Sequence, residues 1–389
     1  MNRPEIESPA ASFAWSTLSI VGLLAGVGVS LVPGLSGIWD IGGGAFEQRA
    51  LQDARNDGYY EELLDATEAR GAGGWLKGPS EIAPLDWVRL DETDGVVWDD
   101  PFQRFRLRPG ADFDYKGAPL GVNALGLRDR EASLGKGDGV RRVAMVGASV
   151  LMGSGVAVGE TFENRFEDAV SLGALGDRGP VEFLNFGVAG YRLDQLADVV
   201  VERIGAFDPD AVLLVINDLA LNPNWSRHVA RLVSEGRDLR YEYLREVVAS
   251  AGIDADDDPR LMASRLAPHR DRVLRGGLLV AREWCEARGI PLVLLVLAQP
   301  STTSTFARRV ESIGPLMQDL GLHALNITDA YGEHPDIEAL WLRPWDRHPT
   351  SEGHALLAEG LVQKLQSDPE LADLILGPVR GFPNGEDDE

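Results

Sequence analysis

Five short apolar runs, separated by longer stretches of helical periodicity, restrict what this chain can fold into more than any other feature. The runs are Val143–Val146, Val181–Phe186, Ala211–Ile216, Pro291–Leu297 and His323–Ile327. Runs of this length suit strands buried on both faces of a parallel sheet. Helical stretches lie between and after them, near Glu160–Leu172, Asp194–Ile204, Asp271–Arg288, Thr305–Leu320 and Thr350–Gln366. Strands that alternate with helices predict an α/β fold, a three-layer α/β/α sandwich around a mostly parallel five-stranded sheet. One connection, Leu221–Arg270, breaks the rhythm. It is charged, helical over Asp238–Ala251, and holds the acidic run Asp254–Asp258. A connection of this size serves as a lid, a partner surface or a solvated excursion; a protein partner bound through 221–270 is one of these open readings.

With 389 residues, the chain is long enough for one large α/β domain or two smaller ones. Its 61 acidic against 37 basic residues give a net charge of -24. That balance argues against a nucleic-acid partner and against docking on an anionic lipid surface. The single cysteine, Cys285, falls in an apparent helix (Val280–Arg288), so no intrachain disulfide and no cysteine-based metal site is possible. It reads as a small buried hydrophobe. His228, His269, His323 and His334 show no metal-ligand spacing, and no metal is expected. Gly153, Gly155 and Gly159 lack the spacing of a dinucleotide loop, so no cofactor is expected either.

The amino terminus carries the one strong targeting signal. No charged residue occurs from Ser8 to Trp39, and Ser12–Val32 is long enough to cross a bilayer as a helix. Arg3 is offset by Glu5 and Glu7, and no Ala-x-Ala-like cleavage site follows, which favours a membrane anchor over a cleaved signal peptide. Orientation stays open, with Arg3 on one side and Arg49 and Arg55 on the other. Gly34–Gly44 reads as a glycine-rich linker, and Ala45–Arg70 as a charged, solvated helix. Leu85–Arg130, rich in aromatics, aspartate and glycine, reads as strands and loops packed on the main domain. The expected division is a tail (Met1–Ala11), an anchor (Ser12–Val32), a linker with N-terminal extension (Pro33–Arg130), an α/β domain (Glu131–Gly377) and an acidic tail (Pro378–Glu389).

Four segments fall at the carboxyl ends of the expected strands or just before the last helix. Ser149 follows the first strand in RRVAMVGASVLMGSG, where Gly147 permits a tight turn. Asn185–Tyr191, NFGVAGY, follows the second strand, and Asn217 follows the third in VLLVINDLALN. Asp346 and His348 stand in WDRHPTSEGH, ahead of the last helix, with Thr350 or Ser351 as its cap. Acyl-transfer chemistry needs a nucleophile, a base, an acid that orients the base, and donors for an oxyanion. A serine, an Asp-x-His pair, a glycine amide and an asparagine amide supply those parts. His354, on the last helix, reads as structural.

These blocks, in this order, resemble the SGNH (GDSL-like) hydrolase family over about the last two-thirds of the chain. The upstream VNALGLRDR, Val122–Arg130, is similar to the lead-in of bacterial, membrane-anchored members. The resemblance implies a flavodoxin-like sheet. It also implies Ser149 as nucleophile, His348 as base and Asp346 as its orienting acid. The oxyanion donors would be the Ser149 amide, the Gly190 amide and the Asn217 side chain. Three positions depart from the family pattern. Ala148 replaces the aspartate before the serine, Val215 stands where glycine is common, and the acid sits two residues before His348, the commoner place being Trp345. The two-residue spacing resembles members involved in polysaccharide O-acetylation. The resemblance therefore implies a membrane-anchored serine esterase or acyltransferase of the bacterial cell envelope, facing the periplasm and acting on small O-acyl groups of a small molecule or glycan. The alternative is an inactive domain of the same fold that serves as a binding or assembly subunit.

Overall fold

The structure, a computed structural model, describes residues 83–84, 87–217, 224–300, 313–332 and 334–380. The expected anchor Ser12–Val32, the linker, the helix Ala45–Arg70 and the acidic residues 385–389 lie outside these residues, as does the first half of Thr305–Leu320, of which residues 313–319 are helical. Among the described residues, no helix is long and apolar enough to cross a membrane. All of them belong to one compact unit, Glu61–Glu389.

Two antiparallel hairpins come first: β1 (Val96–Asp100) with β2 (Arg104–Leu107), and β3 (Asp112–Tyr115) with β4 (Ala118–Gly121). The central sheet follows, with β5 (Arg141–Gly147), β6 (Val181–Gly187), β7 (Ala211–Ile216), β8 (Leu292–Leu297) and β9 (His323–Ile327). Its order is β6-β5-β7-β8-β9, and every pair is parallel. A short hairpin, β10 (Trp341–Arg343) with β11 (Asp346–Pro349), precedes the last helices. The helices are α1 (Ser149–Met152), α2 (Phe162–Ser171), α3 (Leu193–Glu202), α4 (Trp225–Ser234), α5 (Glu242–Ala251), α6 (Pro259–Leu266), α7 (Arg270–Glu286), α8 (Ser351–Ser367) and α9 (Pro369–Leu376). This strand order reverses between β5 and β7, and open α/β sheets bind ligands at such a reversal, outside the carboxyl ends of the strands.

The central strands are apolar along their whole length because both faces are covered. Alternate residues of β5 enter opposite cores: Val143 and Met145 meet α2, α8 and α9, whereas Ala144 and Val146 meet α3, α7 and the N-terminal hairpins. Each fully buried aliphatic side chain contributes roughly 1.5–3 kcal/mol of transfer free energy. β9 departs from the pattern, with His323, Ala324 and Asn326 exposed, because it is the edge of the sheet. Cys285 is buried on α7, and burial pushes its thiol up to about 12, as an inert core residue requires.

The connection Leu221–Arg270 is not a solvated excursion. Its helices α4, α5 and α6 build a core of their own from Trp225, Val229, Leu244, Val247, Met262 and Leu266. Phe102, at the tip of the β1–β2 hairpin, inserts into that core. His228 pins it to the sheet domain: Nδ1 pairs with Asp194 Oδ2 at 2.5 Å and Nε2 with the Phe102 carbonyl at 2.8 Å.

Beneath β6 two carboxyls are buried together. Asn164 Nδ2 donates to Glu163 Oε2 at 2.6 Å and to Asp129 Oδ1 at 3.5 Å, and the Asn185 amide N–H donates to Asp129 Oδ2 at 2.9 Å. Burial pushes Asp129 up to about 7 and Glu163 well above its ordinary range; the charge of Glu167 adds to both shifts, and that of Asp129 adds to the shift of Glu163. Raised values mean that folding favours the protonated forms. Their contribution is complete below the ordinary carboxyl range and is lost as pH rises through about 7. The expected result is a thermal midpoint that falls as pH rises across this window, and that falls less steeply in Glu163→Gln. Parallel melting curves of the two proteins against pH would refute this account.

Candidate active site

Ser149 is the first residue of α1, directly after β5. A residue in that position has a backbone N–H with no acceptor inside the helix. Ala148 precedes it with φ −98° and ψ −147°, a non-helical turn, and offers no side-chain cap. The turn is held from the neighbouring strand. Asn185 Nδ2 donates to the Leu151 carbonyl at 2.9 Å, Asn185 Oδ1 accepts the Gly187 N–H at 2.9 Å, and the Val188 N–H reaches the Gly147 carbonyl at 3.1 Å. Asn185 thus supports the nucleophile turn from below, with no aspartate at position 148. Val215 is buried against Gly147 in the core under α2 and α8.

The end of β6 leaves no room for a side chain at Gly187. A Cβ there would lie 2.5 Å from the Met152 amide nitrogen and 2.8 Å from Asn185 Oδ1. Gly187→Ala must push α1 away, and overpacking of this kind costs about 1–3 kcal/mol. We expect a lower thermal midpoint together with impaired chemistry at Ser149; unchanged stability would show that α1 yields freely. Further along, the Tyr191 N–H closes a turn onto the Val188 carbonyl at 3.3 Å. Gly190, inside this turn, has φ +91°, which suits glycine, and its own N–H is not the one that closes the turn. Asn217 follows β7 directly and is buried.

Asp346 and His348 stand two residues apart on β11, so both side chains leave the same face of the strand. Both are buried. Asp346 Oδ1 pairs with His348 Nδ1 at 2.5 Å and accepts the His348 backbone N–H at 3.0 Å. Asp346 Oδ2 accepts two more donors, Trp87 Nε1 at 2.9 Å and Lys116 Nζ at 2.8 Å. Burial works to raise the Asp346 carboxyl, but Lys116 and His348 outweigh it and hold it well below the usual carboxylate range. An ionised carboxylate only accepts, so His348 Nδ1 carries the proton and Nε2 is the basic nitrogen. Burial lowers the His348 imidazole, Asp346 pulls it up and Lys116 pushes it down; the balance lies below the ordinary histidine value.

The β10–β11 hairpin meets the nucleophile segment directly. α1 packs against β11, and Leu342 of β10 lies over Gly155, just past α1. Ser149, Gly190 and Asn217 follow the carboxyl ends of three adjacent strands at the reversal of strand order, and α1 meets the strand that carries His348. His354 lies apart from this set. Its Nδ1 accepts the Phe162 N–H at 3.1 Å, and burial drives the imidazole down to about 3, so it is a neutral structural residue. Thr350 caps α8, its Oγ1 accepting the Gly353 N–H at 3.4 Å. The motif pattern did not single out Trp87, Lys116 or Asn185 for these roles. A cleft of about 610 Å³, lined by Arg141, Trp284, Arg288 and Pro291, opens at the amino ends of the strands, away from Ser149. There Arg141 is already committed to the Leu374 and Ile375 carbonyls. Among the described residues no cluster of histidine, cysteine and carboxylates could hold a metal ion.

Comparison with solved structures finds similar chains among ester hydrolases. A lipolytic protein of the G-D-S-L family from Desulfitobacterium hafniense is 14% identical, covers 58% of this chain and 99% of its own, and has a TM-score of 0.36. The acetylxylan esterase of Geobacillus stearothermophilus is 14% identical over 58% of this chain and 94% of its own, with a TM-score of 0.39. The esterase EstA of a Pseudoalteromonas species is 11% identical over 59% and 99%, with a TM-score of 0.37. No protein-family model matches the chain, and no curated protein matches it.

Proposed function

We propose that this chain is a serine esterase or O-acyltransferase of the SGNH type, acting on small O-acyl groups and held at a membrane by Ser12–Val32. The observation that carries the reading is the buried Asp346–His348 pair, with Nδ1 on the carboxylate and Nε2 as the base, on a strand that packs against the helix begun by Ser149. In this reading His348 Nε2 takes the proton of Ser149 Oγ as the oxygen attacks an ester carbonyl. Asp346 stabilises the imidazolium that forms. The Ser149 N–H, the Gly190 N–H and the Asn217 amide receive the oxyanion. The tetrahedral intermediate collapses, His348 returns the proton to the departing alcohol, and an acyl-Ser149 remains. Water or a sugar hydroxyl then takes the acyl group by the same steps in reverse. No metal or cofactor enters these steps.

The direct test is hydrolysis of p-nitrophenyl acetate and butyrate by the full-length protein in detergent. Turnover that favours the acetyl ester supports the reading. A rate no greater than that of buffer, with the fold intact, removes the esterase and favours a binding role or a transferase that requires its own donor. The expected extracytoplasmic placement of the α/β unit is tested by protease accessibility in spheroplasts. Cleavage from outside supports it, and protection until lysis opposes it.

A further inference from the structure

The hairpin β3–β4 ends in a two-residue turn, Lys116-Gly117, because Tyr115 pairs directly with Ala118. Both turn residues have positive φ, +54° at Lys116 and +82° at Gly117. Turns of this type favour asparagine, aspartate or glycine at the first position. A lysine there stands in a left-handed conformation that its Cβ disfavours. Such strain persists only where the surroundings over-determine it, and its location is a pointer to function. Here the side chain enters the protein: Lys116 and Asp346 are 1% and 0% exposed, and Nζ lies 2.8 Å from Oδ2. An amphipathic lysine that buries its ammonium does so only against a partner, since a buried charge left unpaired is strongly destabilising.

We propose that Lys116 is a positioning residue for the Asp346–His348 pair, fixing the outer carboxylate oxygen so that the inner one stays on His348 Nδ1. The proposal deepens the ester-transfer reading and rests on it for the catalytic consequence, though not for the electrostatic one. Two donors fix Oδ2, the ammonium of Lys116 and the indole of Trp87, and both come from the segment ahead of the α/β core. Two donors from His348 fix Oδ1. The carboxylate is therefore locked in rotation, and with it the imidazole. Lys116 also opposes part of the Asp346 charge. A bare carboxylate would hold a proton on His348 more strongly and leave less of it in the basic form at a given pH. Three groups near the pair among the described residues are uncharged. Trp87 is neutral, the buried Tyr115 phenol next to Lys116 keeps its proton because burial raises it, and His354 on α8 is held neutral by burial. Arg343 lies over Trp87, and Arg347 over Trp341, outside the pair.

The test is the imidazole titration of His348 in the full-length protein, followed by NMR and assigned by the signal lost in His348→Gln. Lys116→Met removes the charge and keeps the bulk; its titration midpoint moves to higher pH than in the unsubstituted protein. Lys116→Asn, suited to the left-handed turn, is the second neutral variant should the first fail to fold, and moves it the same way. Trp87→Phe removes a neutral donor from the same oxygen and leaves the midpoint closer to the original. The acid limb of kcat/KM for p-nitrophenyl acetate moves with the midpoint. A structural role alone would lower the whole profile without displacing the limb. An unmoved midpoint in a folded neutral variant overturns the proposal. Failure of the ester-transfer reading is a separate result: it appears as absent Ser149-dependent turnover in the unsubstituted protein, and the NMR midpoint still decides the role of Lys116.

Discussion

Ser149→Ala is expected to lower kcat/KM for p-nitrophenyl acetate by about 1,000-fold to 10,000-fold or to the buffer rate, while leaving the fold intact. The size follows from the chemistry. Without Oγ there is no acyl-enzyme, and neither the His348 base nor the oxyanion donors have a nucleophile to serve. What remains is the modest acceleration that a polarising site gives to water. The small effect on stability follows from the position. Ser149 heads a four-residue helix whose turn is held by Asn185, Gly187 and Val188. Alanine fits there, so the thermal midpoint should move by no more than about 1–2 °C. A variant that hydrolyses the ester at the original rate would place the chemistry elsewhere. A variant that has lost both rate and stability would leave the loss of rate without a chemical meaning, and a Ser149→Cys variant would then be compared.

Asp346→Asn is expected to damage both chemistry and stability, and here the two losses have one cause. Among the described residues the carboxylate accepts His348 Nδ1–H and N–H on one oxygen, and Lys116 Nζ and Trp87 Nε1 on the other. An asparagine offers one acceptor oxygen and one amide nitrogen. In one flip the NH₂ faces Lys116 and Trp87; in the other it faces His348 and favours the tautomer with its proton on Nε2. Either way a buried ammonium loses its counter-charge, which costs about 3–5 kcal/mol. For a domain of this size that corresponds to a fall of roughly 10 °C in thermal midpoint. Catalysis should fall by about 1,000-fold or more, because the base is no longer held in its working tautomer. The double variant Lys116→Met with Asp346→Asn should regain part of the stability and none of the rate, since the two sites are in contact and their effects do not add. Equal losses of stability in the single and double variants would show that Lys116 and Asp346 are not coupled.

The parts of this structure that could be read from sequence are those fixed by local patterns. Apolar runs placed the strands of the sheet; in β5, β7 and β8 residues buried on both faces leave little choice of residue type, whereas the edge strand β9 is exposed on one face. The pairing of Asp346 with His348 was also legible as an Asp-x-His pair, but from a loop ahead of the last helix; the segment is a strand, whose spacing of two puts both side chains on one face. The outer oxygen of Asp346 was not. Its partners, Lys116 and Trp87, lie 230 and 259 residues away along the chain. Nothing about a lysine in a Tyr-Lys-Gly turn announces that its ammonium is buried. Only its positive φ and its position reveal it. The support that Asn185 gives to the turn at Ala148 was hidden for the same reason, as was the separate core built by the insertion around Phe102. Each is a contact between segments whose own periodicity says nothing about the other.

The central claim is that Ser149 is a nucleophile activated by His348, and covalent trapping tests it most directly. The full-length protein would be treated with a p-nitrophenyl alkylphosphonate, then analysed by intact mass and peptide mapping. The account predicts one phosphonyl adduct, carried by the peptide that contains Ser149, absent from Ser149→Ala and formed far more slowly by His348→Gln. An adduct on another residue, or no adduct from folded protein under conditions that label a serine esterase, would contradict it.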